Sequence, residues 1–527
     1  MLEIIKNHIF HLDEILLMLH YNFTKQSHEK WWLTDTRFDA DIHDDITFCY
    51  DVLKDVSRSF AEVICQLPNN ISLDFVVLYL RARALDTIED ETQILNGDLK
   101  KKKKILKYFY KETNDILYEI NDVKHQRLIN NYSRVMKVSS VLSNKSRTLT
   151  NKIIKKMAKG MIKYLDSKIE TVEQYNDYCY YVAGLVGEIL TQFSVVNGFE
   201  DANFIKQTIK NKNVFSNHRK GGLDKSMGIF LQKTNIIRDY KEDIELNKQW
   251  WPKDIWGKYS DDFSRLPESP NANHCINELI NDNLENIPDI LEYLKLVQNV
   301  DYFKFCATPQ IIALHTQALC YNNVELYQQN LKIRKGLAIK AMKANSYKHV
   351  CHQFRNALNI IKSKFDNKTE IGLVTEKNIM IIETIISKEI GPEKTIFEKI
   401  NQYLFLLIVL VVVNFLFYKF STYFDPTKTN INPPNITNTN PLENPINNTE
   451  ILSGNNEDFD IKQLAKTAGK LFGLNNEDIE KAMASRTNGI MQSNNNNTMS
   501  SMFNINSAEL PSTMGMPMIF TLFGTKI

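Results

Sequence analysis

The chain has 527 residues, 43% hydrophobic and 24% charged, an ordinary mix for a globular protein long enough to bury a large core. Its 64 Lys and Arg against 62 Asp and Glu leave a net charge of +2, which excludes the basic excess of a nucleic-acid binder. The seven cysteines (Cys49, Cys65, Cys179, Cys275, Cys306, Cys320 and Cys351) are scattered with no CxxC pair, which excludes a disulfide framework and a cysteine zinc site and fits a reducing compartment.

The first twenty residues have amphipathic spacing interrupted by Glu3, Lys6, Asp13 and Glu14, with no small-residue cleavage site, so they predict a helix and not a secretory signal. From there to about residue 398 apolar and polar residues alternate with helical period. Segments 73–91, 151–169, 172–195 and 227–243 are far longer than ordinary strands. No GxGxxG fingerprint follows a strand, which argues against a Rossmann domain. The expectation is one all-α catalytic domain over 1–398. Lys100–Lys104 reads as a solvated loop able to steer an anionic substrate. The run from His349 to His352 (HVCH) has no second ligand pair and reads as helix surface.

The stretch 403–418 is almost wholly apolar and flanked by tyrosines, close to the roughly 17–25 residues a bilayer core requires. A transmembrane anchor is therefore expected over 399–424, with Lys388, Lys394 and Lys399 favouring a cytosolic N-terminal side. Residues 425–527 are rich in Asn, Thr and Pro, a low-complexity tail with two short helices expected at 459–484 and no assigned chemistry.

Two polar stripes carry the chemistry. In the first, Tyr79, Arg83, Asp86, Thr87 and Asp90 fall on one helical arc roughly 100° wide, with Arg81 and Glu89 outside it, in an otherwise apolar segment. In the second, Gln232, Asn235, Asp239 and Asp243 share an arc of about 80°. Either alone could be an acidic pair on a surface helix. Two of them in apolar surroundings point to a cavity. Mg²⁺ takes one or two carboxylates plus phosphate oxygens, so facing stripes would clamp a diphosphate, with Arg58, Arg83 and Arg238 meeting the remaining charge.

These stripes sit among seven ordered motifs: SRSF from Ser57, YLRARALDTIED from Tyr79 to Asp90, YCYYVAGLVG from Tyr178, LQKTNIIRD from Leu231 to Asp239, FCATPQ from Phe305, CYNN from Cys320 and KIRKG from Lys332 to Gly336. Over roughly residues 40–345 the chain resembles the eukaryotic squalene synthases, of the head-to-head isoprenoid synthase family. The resemblance implies a single-domain all-helical isoprenoid-synthase fold with a central cavity. It implies coupling of two farnesyl diphosphates to presqualene diphosphate, then reduction to squalene by NADPH (NADH as the alternative), the committed step towards sterols. It makes Asp86, Glu89, Asp90, Asp239 and Asp243 the ligands of Mg²⁺, with Mn²⁺ as a substitute. Tyr178 becomes the proton acceptor of the first coupling step. Substrate binding falls to Arg58, Ser59 and Phe60 as a flap, and to Tyr79, Arg83, Gln232, Asn235 and Arg238. Lys332, Arg334 and Lys335 form a basic cluster for the NADPH phosphate, while Phe305, Cys306 and Pro309 wall the deeper pocket, Pro309 interrupting a helix there. The resemblance also implies a monomeric catalytic domain in the cytosol, held on the lipid bilayer of the endoplasmic reticulum with the tail lumenal. Two features depart from the family: the extra Arg81, and a tail of about one hundred residues after the anchor. A phytoene or dehydrosqualene synthase would share both stripes and lack the reductive step; the anchor and KIRKG count against it. A membrane-tethered scaffold would leave the stripes unexplained.

Overall fold

The computed structural model describes residues 14, 17, 18, 21, 30–57, 59–90, 97–120, 122–210 and 222–393. The expected anchor at 399–424, the tail at 425–527, Arg58 and the Ser59 side chain lie outside them. The described residues form helices and connecting turns with no strand, as the helical periodicity predicted.

The helices that build the centre are α1 (Ala40–Ser57), α2 (Ser59–Cys65), α3 (Asn69–Asp90), α4 (Leu99–Tyr108), α5 (Asn144–Tyr164), α6 (Val172–Cys179), α7 (Leu185–Val196), α8 (Leu223–Arg238), α9 (Tyr240–Glu245), α10 (Val300–Cys320) and α11 (Lys335–Met342). Local signals start several of them. Ser143 caps α5 by accepting from Ser146 N–H, and Thr171 and Gln174 close a reciprocal capping box on α6. Asn299 accepts from the backbone of Asp301 and Tyr302 at the start of α10.

α8 lies at the centre, packed against α7, α10, the helix Ile287–Leu296 and a π turn at Tyr180–Gly184 that joins α6 to α7. Two glycines permit this approach. A Cβ on Gly228 would stand 2.1 Å from the Ala183 carbonyl oxygen, and one on Gly187 2.0 Å from that of Asp224. Backbone meets backbone there, and no side chain fits between. The run Val172–Val196 is long and apolar enough to cross a membrane, but it is half buried inside the molecule and packs on α5 and α8, so it is a core element.

Two expectations need correction, and two of the long segments carry breaks. Segments 172–195 and 227–243 are each interrupted. The first carries the π turn, and the second breaks at Asp239 (φ −93°, ψ 16°) between α8 and α9. Asp239 N–H still bonds Asn235 O at 2.8 Å and Asp243 N–H bonds Asp239 O at 2.9 Å, so the stripe keeps its register across the break. Lys100–Lys104 is helical, within α4, where Asp98 caps the end by accepting from Lys101 N–H; Lys102 is buried. Pro309 does not interrupt α10, which runs through it for 21 residues. A proline inside a helix forfeits one backbone bond, but nearly every side chain of α10 is buried, and that packing outweighs the loss.

Gly228→Ala should therefore cost about 1–3 kcal/mol of stability, because neither backbone can yield without moving a core helix. Urea denaturation followed by circular dichroism measures it; an unchanged midpoint would mean that the contact relaxes freely.

Candidate functional site

The first stripe lies on α3, a helix buried on all sides. Tyr79 hydroxyl donates to Val56 O at 3.3 Å and accepts from Arg83 Nη2 at 2.9 Å, while Arg83 Nη1 donates to Asp86 Oδ2 at 3.1 Å. Asp86, Glu89 and Asp90 bring one carboxylate oxygen each within 4.8 Å of one another, a spacing a metal ion could bridge. Glu89, outside the helical arc drawn from the sequence, thus joins the cluster. Arg81 has a separate, structural place: its Nε donates to Tyr132 hydroxyl at 3.3 Å and its Nη2 to Tyr110 O at 3.2 Å.

The second stripe is equally buried, through Gln232, Asn235, Asp239 and Asp243. Arg238 grips the neighbouring Asp239 at both oxygens, Nε to Oδ1 and Nη2 to Oδ2, each at 2.7 Å. Asn330 Nδ2 adds a third bond to Asp239 Oδ1 at 3.2 Å.

Lys248 stands between the stripes. Its ammonium donates to Asp90 Oδ1 and lies in the field of Glu89 and Asp243. Local geometry puts it there: α9 ends in a left-handed turn at Asn247 (φ 53°), with Lys248 N–H bonded to Asp243 O at 2.7 Å and Asn247 N–H to Ile244 O at 3.0 Å. That is the helix-end pattern in which Asn tolerates positive φ. Burial by itself would lower the Lys248 ammonium, but the charges of Asp90 and Glu89 more than reverse it. Burial, and next the Asp90 charge, push Asp86 well above the usual carboxylate range; burial and the Asp239 charge do the same to Asp243. Asp90 Oδ2, Asp243 Oδ2 and both side-chain polar atoms of Gln232 are buried with no hydrogen-bond partner among the described residues. Hard carboxylate oxygens, short of donors and short of positive charge, are what a divalent cation carrying phosphate would satisfy. The residues fit Mg²⁺.

Beside the stripes lies an apolar pocket lined by Phe60, Leu190, Met227, Leu231, Phe305, Cys306 and Pro309. α8 serves both regions, giving Met227, Gly228 and Leu231 to the pocket and Gln232 and Asn235 to the polar stripe. Phe60 is the junction, its ring 5.5 Å from that of Tyr79 and 5.9 Å from that of Phe305. Tyr178 stacks on Trp250 at 4.2 Å, and burial first, then the charges of Glu89 and Asp90, raise its phenol well above the ordinary value. Glu89, Asp90, Lys102, Lys248 and Trp250 also line an open cleft, by which the first stripe reaches the surface.

Of the basic cluster, Lys332 is exposed and Lys335 opens α11, but Arg334 is engaged. Glu14 Oε1 and Oε2 accept from Arg334 Nη2 and Nε at 2.7 and 3.0 Å. Sequence reasoning placed Lys102 in a solvated loop, whereas its ammonium donates to Glu89 O at the end of α3, and it missed Lys248, Asn330 and Glu14. The Asn-Lys pair after the DYKED run was the available signal for Lys248.

Glu89 has its carboxyl raised from 4.5 to about 7, by burial first and by the Asp90 charge second. An acid with a higher pKa folded than unfolded binds protons better when folded, so its contribution is present at low pH and lost as pH rises from 4.5 through about 7. Glu89→Gln should thus melt higher than the wild type above pH 7, with the gap closing towards pH 4.5, in thermal denaturation with chelator present. A gap independent of pH would assign the effect to packing.

A profile of the squalene/phytoene synthase family matches residues 53–336. Squalene synthase of Mus musculus is 33% identical over 358 residues, which cover 65% of this chain and 82% of that protein. Squalene synthase 1 of Arabidopsis thaliana is 36% identical, covering 60% and 76% of the two chains. Squalene synthase LSS of Botryococcus braunii is 38% identical over 56% of this chain, which spans 62% of that relative's length. A solved complex of TcSQS with the ligand BPH1237 superposes with a TM-score of 0.61 at 29% identity, over 66% of this chain and 99% of that one. With these motifs, this helical fold and these matches, the chain belongs to the squalene/phytoene synthase family, on its squalene synthase side.

Proposed function

We propose that the protein is a farnesyl-diphosphate farnesyltransferase, which couples two farnesyl diphosphates to presqualene diphosphate and reduces this with NADPH to squalene. The observation that carries this reading is the convergence of two buried carboxylate stripes on one lysine, beside an apolar pocket. Its relatives' names, squalene synthase in each case, favour the reduced product over an unreduced one.

Asp86, Glu89, Asp90, Asp239 and Asp243 would hold Mg²⁺. Mg²⁺, when bound, supplies charge neutralisation for the departing diphosphate. Lys248, Lys102 and Arg83 supply fixed positive charge around the same leaving group, and Arg58 is proposed to join them. Arg238 would turn from Asp239 towards phosphate, with Gln232 and Asn235 offering amide donors. The allylic cation left behind needs walls without nucleophiles, and Phe60 and Phe305 present aromatic faces that stabilise positive charge. Tyr178 stays a neutral phenol in this setting. It would accept the proton lost in cyclopropane formation only as its own moves towards the adjacent anions. Lys332, Lys335 and Arg334 would meet the phosphates of NADPH, Arg334 by exchanging its Glu14 partner for them. NADPH supplies the hydride of the second half-reaction.

The test is incubation of the full chain with farnesyl diphosphate and Mg²⁺, with and without NADPH. Squalene is expected with the nucleotide and presqualene diphosphate without it; dehydrosqualene in both would assign a non-reducing synthase. Asp243→Asn should lower turnover at least about 100-fold. Helicity and melting should hold, because burial already disfavours that charge. Near-normal turnover would remove the second stripe from the reaction.

The 399–424 anchor is proposed to hold the catalytic domain on the cytosolic face of the endoplasmic reticulum, with the tail lumenal. Protease added to sealed microsomes should digest residues 1–398 and spare a tail fragment. Loss of both would place both ends in the cytosol.

A further inference from the structure

Asp239 is asked to do two things. In the structure both of its oxygens are taken by Arg238, at 2.7 Å each, which keeps the carboxylate neutralised. A carboxylate so gripped has little to give a cation, and an arginine so employed cannot reach phosphate. When a metal-diphosphate enters, Arg238 has a more highly charged partner to follow. Some other donor must then keep Asp239 from rotating.

Asn330 is that donor. It belongs to the short segment between the turn Val324–Tyr327 and α11, distant in sequence from either stripe, and it reaches Asp239 Oδ1 through Nδ2 at 3.2 Å. Being a neutral amide, it is drawn to phosphate less strongly than the Arg238 guanidinium. Its other end is unusual: Oδ1 is buried with no partner among the described residues. An unsatisfied buried acceptor costs free energy until a donor arrives. Mg²⁺ keeps several of its waters when it binds through one or two carboxylates, and those waters are strong donors. An amide with its N–H on the ligand oxygen and its carbonyl unsatisfied is placed to bridge a carboxylate and a water on the same ion.

We propose that Asn330 is a positioning residue for Asp239: its amide N–H holds the ligand oxygen, and its carbonyl accepts from a water on the Mg²⁺ at the second stripe. The inference rests on the reading of that stripe as a metal-diphosphate site. Asn330 also ties the segment running into Lys332, Arg334 and Lys335 to the second stripe, so the two regions share a physical link.

The test uses binding. The full chain, purified in detergent, is titrated with Mg²⁺ in the presence of inorganic pyrophosphate, and Mn²⁺ occupancy is followed in parallel by electron paramagnetic resonance. Asn330→Ala should weaken the divalent ion by about 10- to 100-fold. The melting of the unliganded protein should stay unchanged, since Arg238 still holds Asp239. Asn330→Leu has nearly the same shape and neither donor nor acceptor; it should lose at least as much affinity, and it serves if the alanine variant fails to fold. Wild-type affinity in Asn330→Leu would overturn the inference. Asp243→Asn is the control that separates the two readings. If it too bound Mg²⁺-pyrophosphate normally, the stripe itself would not be the metal site. If it lost binding while the Asn330 variants kept theirs, only the role of Asn330 would fall.

Discussion

The structure is organised around a shortage of positive charge. Asp86 and Glu89 on α3, and Asp239 and Asp243 at the α8–α9 junction, are buried, and Asp90 beside them is half-buried. Like charges in a poorly screened interior repel strongly, so such a group holds together only if protons or cations offset it. Lys248 and Arg238 do part of this, and raised carboxyl pKa values do the rest. Packing around α3 and α8 thus holds together carboxylates that their own surroundings leave short of positive charge. Strain of this kind is tolerated where function needs it, and large buried surfaces elsewhere offset it.

The second constraint is that opposite chemistries must lie side by side. A diphosphate needs charge and hydrogen-bond donors, while the cation it leaves behind needs a dry wall that offers no oxygen to attack it. α8 meets both needs along its length: its first turns give Met227 and Leu231 to the pocket, and its later turns give Gln232 and Asn235 to the polar stripe. The glycine contacts at Gly187 and Gly228 bring α7 and the π turn against α8 without a side chain between. Phe60 sits where the regions meet, touching Tyr79 on the polar side and Phe305 on the apolar side.

The loops supply what the helices cannot. Lys248 follows a left-handed turn at Asn247, and Asn330 comes from a connection far along the chain. Each places a single polar group against a residue of a motif. None is marked by any periodicity, because one side chain on a connection leaves no repeating pattern to read.

What the sequence by itself determined was the helical class, the two stripes and the family. These are encoded locally: the 3.6-residue period puts Asp86 with Asp90 and Asp239 with Asp243 whatever the rest of the chain does. It could not show that α10 passes through Pro309, or that Lys102 is buried inside a helix and not in a solvated loop. Those outcomes depend on burial, and burial is a property of neighbours. Nor could it show which cations remain available: Arg334, Arg238 and Lys248 look alike as letters, and only the folded chain sets each beside a particular carboxylate. Pairing between distant residues is decided by tertiary packing, because the energy of an ion pair depends on a separation and a surrounding dielectric that no local pattern encodes.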